Sequence, residues 1–487
     1  MPDHVASPID EAFRRLREEL EIPSGFPEEV LAEARRVVVE RTPVPSGEHA
    51  DRTDIPFVTI DPPGSRDLDQ AVHAERVDDG GAGYRLRYAI ADVGYWVDRG
   101  GAIEREAWRR GVTYYAPDRR ETLYPPELSE GAASLLPDRA RPAVLFDLVL
   151  DDRAELLSWS VERALIRSRV QLTYAQLQRW GGGGGAGAAP REPWGETLAL
   201  LGEIGPRRLA LEAERGGVSL PVRDQHVQRR AATTLGYELV YEEPMEAESW
   251  NAQVSLLTGH VAATRMLGAG VGLLRTMPTF DARDVAKFRR IALTLGFAWP
   301  EGESYAEFMR AVRPGHPRVD VLVRQARRVM RGAEYVAFQG EPPEQPLHGA
   351  LAQVYAHATA PLRRLADRYV LDLLLSLGAG RVPDDAEVET LEALVTVMAD
   401  ASRRANRLER RVVDVAEAWS LRGRCGELFA AVVVDVRGDD VEVQVEDPPV
   451  RATVRAQGGA PPLGARCRVR LVEVELEAGR IRLEIAD

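Results

Sequence analysis

Three aspartates crowd the stretch 56–72, PFVTIDPPGSRDLDQAV, and constrain the fold more than any other part of the chain. The residues before Asp61 have the β-branched and aromatic side chains typical of a strand. A Pro-Pro-Gly turn then ends that strand, because proline cannot donate to a ladder and glycine permits a tight reversal. Asp67 and Asp69 follow in the same loop, so the three carboxylates can converge at one strand end.

Carboxylates that lie close together repel one another unless a cation lies among them. Hard oxygen ligands without a nearby His or Cys suit Mg²⁺ or Mn²⁺, which often share a substrate phosphate as a further ligand. The cluster therefore indicates metal-assisted phosphoryl chemistry. An ordinary solvated loop with Asx turns is the alternative, and the spacing alone leaves it open.

Several segments resemble the catalytic RNB domain of the ribonuclease II and ribonuclease R family. The first two are TIDPPGSRDLDQAV at 59–72 and YAIADVGYWVDRGGAIEREAWRRGVTYYAPDR at 88–119. Three more follow in family order: LYPPELSEGAASLLP at 123–137, YAHATAPLRRLADR at 355–368 and SRRANRLERR at 402–411. Independent motifs in the right order make chance agreement improbable.

Pattern and resemblance together predict an α+β chain in three parts. Residues 1–50 carry two amphipathic helical patterns and are too few for the OB-type cold-shock domains that the family often has. We predict a small helical module there, with a helix-turn-helix-like unit and a docking appendage both open. Residues 51–423 are predicted to be the RNB catalytic domain, an antiparallel sheet with surrounding helices. Residues 424–487 alternate at period two over five short strands, which predicts an RNA-binding OB-fold β-barrel.

Local patterns predict individual elements as well. GGAG at 80–83 is typical of a hairpin turn, and the glycine-rich run at 181–190 is predicted to be an exposed linker without a function. Amphipathic helices are predicted over 245–268, 282–296, 317–332, 361–378 and 386–423.

Composition narrows the function classes. A net charge of −13 argues against a protein that coats nucleic acid by bulk attraction, although a locally basic channel would be compatible with it. No apolar run approaches the roughly 20 residues of a membrane helix, and the N-terminus lacks a signal-peptide core. Only two cysteines occur, Cys425 and Cys467, which suits reduced thiols. We therefore predict a cytoplasmic protein without a membrane partner.

The resemblance implies roles for the acidic motif. Asp61, Asp67 and Asp69 match the family's metal-binding acids, and Asp67 and Asp69 are also assigned to the chemical step. The family has a fourth acid directly after Asp69, where this chain has Gln70. A neutral carbonyl oxygen is a weaker ligand than a carboxylate, so we expect Gln70 to bind one ion more weakly or through water.

Other roles follow from the same resemblance. Tyr115 matches a tyrosine that stacks on the 3′-terminal base, and its neighbour Tyr114 is expected to point the other way. The remaining residues expected to bind RNA are Gln353, Thr359, Arg363 and Arg364. Arg403 and Arg404 match an arginine that grips the scissile region, and spacing alone cannot choose between them. His348 and His357 are read as structural or RNA-facing residues.

The function implied is a 3′→5′ exoribonuclease that hydrolyses single-stranded RNA processively to nucleoside 5′-monophosphates. Mg²⁺ is the expected cofactor, with Mn²⁺ as the alternative, and single-stranded RNA is the expected partner. One rival stays open because two positions that are acidic in the family are neutral here, Gln70 and Gln353. In that rival the chain is a catalytically weakened RNA-binding relative that acts within a complex. A second rival gives the helical N-terminus a docking role, so that the enzyme acts only together with a partner.

Overall fold

The computed structural model describes most of the chain. The residues described are 7–43, 48–77, 83–182, 189–220, 224–229, 236–242, 244–313, 318–456 and 459–486. The predicted hairpin turn at 80–83 and the glycine-rich run at 181–190 lie largely outside them. Within these ranges, no helix combines the length and apolar character that crossing a membrane requires.

Twelve α-helices are described, with one π-helical turn at Leu128–Ala132. They are α1 Pro8–Glu19, α2 Glu28–Glu40, α3 Val93–Trp96, α4 Ala102–Arg110, α5 Tyr174–Gly181, α6 Gly195–Glu214, α7 Glu246–Ala269, α8 Ala282–Thr294, α9 Tyr305–Ala311, α10 Val319–Ala326, α11 Leu365–Gly378 and α12 Asp385–Ser420. The five helices expected from amphipathic patterns are α7, α8, α10, α11 and α12.

The strands fall into a barrel, a C-terminal sheet and several short pairs. They are β1 Ala50–Ile60, β2 Gln70–Val77, β3 Gly83–Ala91, β4 Tyr114–Tyr115, β5 Arg120–Glu121, β6 Ala140–Leu150, β7 Leu156–Leu172, β8 Asp224–Arg229, β9 Tyr237–Glu242, β10 Val271–Thr276, β11 Glu334–Gln339, β12 Leu347–His348, β13 Gln353–Val354, β14 Leu428–Arg437, β15 Asp440–Val445, β16 Arg451–Arg455, β17 Arg466–Glu475 and β18 Arg480–Ala486.

The central sheet is a closed barrel in the order β1-β2-β3-β6-β7. Neighbouring strands are antiparallel except β1 and β7, which run parallel. The predicted α+β class is confirmed, but the purely antiparallel sheet was wrong at this pair. The reason is geometric: when five strands alternate in direction and the sheet closes, the first and the last must point the same way. Closure also removes the exposed sheet edges.

The N-terminal helices pack on the same hydrophobic core as the barrel. The buried face of α1 includes Ile9 and Phe13, and Val30 of α2 joins the same cluster. Ser7 begins α1 with a capping box, which satisfies amides at the helix start. The guanidinium of Arg17 binds both carboxylate oxygens of Asp118, at 2.6 and 2.7 Å. These contacts tie α1 to the loop after β4, while the boundaries 1–50, 51–423 and 424–487 stay predictions.

The C-terminal residues form the predicted five-stranded antiparallel sheet of OB type, in the order β16-β15-β14-β17-β18. Its edge strands β16 and β18 lie against each other. The buried carboxylate of Glu417 on α12 is one of the groups that join this sheet to the rest of the molecule. Its Oε1 accepts from the backbone N–H of Arg451 at 3.1 Å and from Nε2 of Gln225 at 3.2 Å.

Glu417 makes a testable contribution to the pH dependence of stability. Burial raises its pKa from 4.5 to about 8. Between these values the unfolded chain loses the proton while the folded chain keeps it, so the free energy of unfolding should fall as pH rises, by at most roughly 1.4 kcal/mol per pH unit. Glu417→Gln removes the ionisable group and should flatten this part of the profile. Urea denaturation across that pH range measures the difference.

The matched control is Glu409→Gln, an exposed glutamate on the same helix. It should keep the wild-type slope, because this variant leaves the buried carboxylate of Glu417 in place. Parallel profiles for the wild-type protein and Glu417→Gln would show that Glu417 ionises without cost in the folded state.

Candidate active site

Asp61 lies at the end of β1, where its backbone N–H donates to the carbonyl of Leu172 at 3.0 Å and so continues the parallel pairing. Its Oδ2 is buried and has no hydrogen-bond partner among the described residues. Burial and the nearby Asp67 raise the pKa of Asp61 to about 7, and Arg363 opposes them. The carboxylate is therefore desolvated and available to a cation.

Asp69 immediately precedes β2 and is almost fully buried. Its Oδ1 accepts from the backbone N–H of Leu362 at 2.8 Å, and its Oδ2 faces Nε of Arg363 at 3.3 Å. Burial raises the pKa of Asp69 to about 7, although both of these partners act in the opposite direction. Two segments far apart in the sequence thus meet at this carboxylate.

Asp67 is paired with an arginine that the sequence did not single out. Nη1 of Arg120 lies 2.8 Å from Oδ1 of Asp67, and Nη2 lies 2.8 Å from Oε1 of Glu130. Arg120 belongs to the two-residue strand β5, which pairs with β4. The loop after β4 therefore brings a positive charge to the acidic motif.

Gln70 uses both ends of its side chain inside the fold. Its Nε2 donates to the carbonyl of Thr359 at 2.5 Å, and its Oε1 accepts from the hydroxyl of Tyr88 at 2.8 Å. The hydroxyl of Tyr88 also lies 2.8 Å from that of Ser255. A role for Gln70 as a metal ligand stays a prediction, and it would need the second lone pair of an oxygen already engaged.

The carboxylate oxygens of the acidic motif are chemically suitable ligands for a divalent cation, but their arrangement fits one only partly. Asp61 offers an unsatisfied buried oxygen, and Asp67 lies close enough to raise its pKa. Yet across the described residues no three His, Cys, Asp or Glu side chains are grouped closely enough to hold a metal ion. The reason is that Asp67 and Asp69 are turned toward guanidinium groups.

The two arginines of the 359–364 turn have different surroundings. Arg363 faces Asp69 and keeps 44% of its side chain exposed. Arg364 instead binds Asp367 through Nε at 3.0 Å and Nη2 at 2.8 Å. Asp367 also accepts from the backbone N–H of Ala360 at 2.8 Å, which fixes the turn. Of the two predicted residues, only Arg363 is placed to meet a phosphate beside the aspartates.

Thr359 and Gln353 are less accessible than their predicted role requires. Both side chains are buried, and Gln353 lies on β13, where its backbone pairs with that of His348. Thr359 takes part through its carbonyl, which holds Gln70. Nδ1 of His357 lies 2.6 Å from the hydroxyl of Tyr335, and burial lowers the pKa of His357 well below its usual value. This histidine has a packing role.

Tyr115 presents its ring at the site, with 51% of the residue exposed. Burial of its hydroxyl and the nearby Asp67 raise its pKa. Tyr114 is buried and donates its hydroxyl to the carbonyl of Arg110 at 2.9 Å, so the expectation that it points the other way is confirmed. The exposed face of Tyr115 is therefore free to stack on a base.

Arg403 and Arg404 lie on consecutive positions of α12 and diverge. Arg403 is exposed and pairs with Asp400 on the same helix. The guanidinium carbon of Arg404 lies 5.7 Å from the ring centre of Tyr114, and Nη2 reaches the carbonyl of Arg109 at 3.4 Å. Arg404 thus contacts β4, and its role in catalysis stays a prediction.

Comparison with known protein families gives the site its context. A model of the RNB domain matches residues 49–378, and a model of the RNase II-type exonuclease C-terminal S1 domain matches residues 427–486. The chain belongs to the RNB family. The resemblance read from the acidic motif and its companion segments is confirmed, and the C-terminal sheet corresponds to the S1 domain.

Named relatives of this RNB chain agree with the family model. Ribonuclease R of Aquifex aeolicus (strain VF5) is 26% identical over 96% of this chain and 69% of its own length. Ribonuclease R of Escherichia coli (strain K12) is 26% identical over 88% of this chain but only 53% of its own length. The chain therefore spans little more than half of the latter protein.

Solved structures show the same fold. Mycoplasma genitalium RNase R in complex with ribose methylated single-stranded RNA superposes with a TM-score of 0.84 at 18% identity, over 97% of this chain and 77% of that one. The RNB barrel, the helices around it and the C-terminal sheet are therefore a known arrangement.

The residues that sequence reasoning missed in this RNB domain are those that hold the acids. The backbone N–H of Leu362 carries no sequence signal, because any residue except proline can donate it. Arg120 and Glu130 were hidden for another reason. Nearly all cationic side chains of this chain are arginine, with Lys287 the lone lysine of the sequence, so one more arginine did not stand out.

Proposed function

We propose that this chain is a 3′→5′ exoribonuclease that hydrolyses single-stranded RNA processively to nucleoside 5′-monophosphates. The observation that carries the proposal is the setting of Asp69, which is buried between the amide of Leu362 and the partly exposed guanidinium of Arg363. The cytoplasm is the proposed location, and the three-part division at residues 50 and 423 belongs to the same proposal.

The reaction places specific demands on the site. Water oxygen bonds to phosphorus, the bond from phosphorus to the 3′-oxygen breaks, and that oxygen takes a proton. A bound Mg²⁺ or Mn²⁺ would activate the water and neutralise charge on the phosphate. Asp61, Asp67 and Asp69 would hold the ion, with Gln70 as a weak or water-mediated contributor.

The chain's own side chains handle the substrate. Arg363 is placed to donate to a non-bridging phosphate oxygen, since its guanidinium is partly exposed beside Asp69. Tyr115 would stack on the terminal base, an interaction worth roughly 1 to 3 kcal/mol and tolerant of sequence. Arg404 would act on developing charge from α12. Gln353 and Thr359, whose side chains are buried, would support the substrate indirectly, Thr359 through its place in the 359–364 turn.

The decisive experiment uses a single-stranded RNA oligomer labelled at its 5′ end. We expect a ladder that shortens from the 3′ end in Mg²⁺, free nucleoside 5′-monophosphates, and no cleavage in EDTA. DNA of the same sequence should be spared, because contacts to 2′-hydroxyl groups distinguish RNA. Addition of excess unlabelled RNA after the start tests processivity, since a processive enzyme finishes the strand it holds.

Intact RNA that is shifted on a native gel would contradict the proposal. It would favour the rival in which Gln70 and Gln353 accompany a weakened RNA-binding relative that acts within a complex. No contact among the described residues favours that rival, because the three aspartates and Arg363 are present and mutually arranged.

A further inference from the structure

The charge balance of the site departs from one that accommodates two divalent ions. Asp61, Asp67, Asp69 and Glu130 supply four carboxylates to this part of the molecule, and the guanidinium groups of Arg120 and Arg363 pair with the last three of them. When all four carboxylates are ionised, two negative charges remain. A single divalent cation neutralises them, whereas a second would leave the cluster with a net positive charge.

The oxygens that remain also suit a single ion. Both oxygens of Asp69 face donors, Oδ1 of Asp67 accepts from Arg120, and Oε1 of Gln70 accepts from Tyr88. Oδ2 of Asp61 is the buried carboxylate oxygen of this motif that has no partner in the described structure. Asp67, which is close enough to raise the pKa of Asp61, could contribute to holding a cation there.

Arg120 already pairs with two of these carboxylates. Its guanidinium bridges Asp67 and Glu130 at 2.8 Å each, and its side chain keeps 30% exposure. A planar fork with partial exposure can hold a carboxylate and still donate to a phosphate oxygen. The adjoining Tyr115 pairs with Arg120 through the backbone, so base and phosphate contacts would come from one short hairpin.

We infer that the guanidinium of Arg120 replaces one of two divalent ions in this chain, so that the site works with a single bound metal ion. The inference rests on the proposed function for its substrate. It also explains why residue 70 can be neutral. Because Arg120 neutralises Asp67, a fourth carboxylate is not required to hold a second ion. Gln70 instead connects Tyr88 to the 359–364 turn through hydrogen bonds.

The first test counts ions without any RNA. Equilibrium binding of Mn²⁺ to the full chain, followed by electron paramagnetic resonance of the free ion, should give one site per chain in the wild-type protein. Asp61→Asn should abolish that site. Arg120→Gln should bind additional Mn²⁺, because it releases the carboxylates of Asp67 and Glu130. Two sites in the wild-type protein, both lost in Asp61→Asn, would overturn the inference.

The second test measures turnover against Mg²⁺ concentration. Arg120→Gln should lower kcat on the order of 100-fold at low Mg²⁺, as expected when one charge-stabilising donor is lost. High Mg²⁺ should restore part of that loss. Arg120→Lys, which keeps the charge, should lose less. Equal kcat for Arg120→Gln and the wild-type protein at every Mg²⁺ concentration would contradict the inference.

Arg153→Gln is the matched control. Arg153 pairs with the exposed Glu214 at 2.7 Å on the barrel surface, so its variant should keep wild-type ion count and turnover. The ion count also distinguishes failure of the proposed function from failure of the single-ion inference. A wild-type protein that binds one Mn²⁺ through Asp61 but degrades no RNA would refute the proposed function and would leave the single-ion site standing.

Discussion

Asp69→Asn should abolish RNA cleavage while RNA binding stays close to that of the wild-type protein. Asparagine has nearly the same size and can still accept from the amide of Leu362, which is 2.8 Å from Oδ1, so the turn should stay in place. The negative charge is lost, and with it a cation ligand and the partner of Arg363. We expect turnover to fall on the order of 1,000-fold or more, as for other residues that act directly in the chemical step.

Two assays on one preparation check this expectation. Product release from labelled RNA reports turnover, and a gel shift in EDTA reports binding. Asp152→Asn is the control, since Asp152 is an exposed aspartate in the turn between two barrel strands. Cleavage by Asp69→Asn at more than a tenth of the wild-type rate would remove Asp69 from the chemical step. Loss of binding together with cleavage would instead assign it to substrate affinity.

Alanine substitutions at Arg363 and Arg364 should affect different properties, turnover for Arg363 and stability for Arg364. Arg364→Ala should lower the free energy of unfolding by about 3 to 5 kcal/mol, because it strands the buried carboxylate of Asp367 without its partner. The exposed fraction of the Asp367 side chain is 0%, and Arg364 contacts both of its oxygens. The 359–364 turn would loosen with it.

Arg363→Ala should change stability little, since this side chain is 44% exposed and its pair with Asp69 is long at 3.3 Å. We expect a loss under about 1 kcal/mol in unfolding free energy. Turnover should nevertheless fall on the order of 100-fold, because a group placed to stabilise charge on the phosphate is gone.

Urea denaturation and single-turnover cleavage of both variants separate these effects. The ordering should be opposite in the two measurements, with Arg364→Ala the less stable protein and Arg363→Ala the slower enzyme at a temperature where both are folded. A folded Arg364→Ala protein with wild-type stability would show that Asp367 finds another partner. Full activity in Arg363→Ala would mean that the phosphate is held elsewhere.

Local pattern was sufficient for much of the fold. The β-branched and aromatic residues before Asp61 predicted the strand that became β1, alternation at period two predicted the C-terminal strands, and amphipathic spacing predicted α7 and α12 to within a few residues. Barrel closure was not predictable in the same way. It depends on pairing between β1 and β7, which brings together Asp61 and Leu172 from distant parts of the sequence. No local pattern indicates which strand edges pair.

The acidic motif was predicted from its own residues, and its environment was not. Proline and glycine around Asp61 fixed the turn, so placing the carboxylates at a strand end needed only local chemistry. Arginine side chains are long and flexible, so the sequence did not distinguish Arg363 from Arg364 or foresee Arg120 beside Asp67. The engaged state of Gln70 depends on Tyr88, a residue on a different strand.

The hydrogen bond from Leu362 to Asp69 joins residues 293 positions apart. During synthesis the three aspartates leave the ribosome early, whereas the turn that holds Asp69 follows only after most of the polypeptide has been made. A nascent or prematurely terminated chain that ends before Leu362 therefore has the acids without their setting. The arrangement around Asp69 can therefore form only late in synthesis, and a fragment that stops short of this turn should lack the contact on which the proposed activity depends.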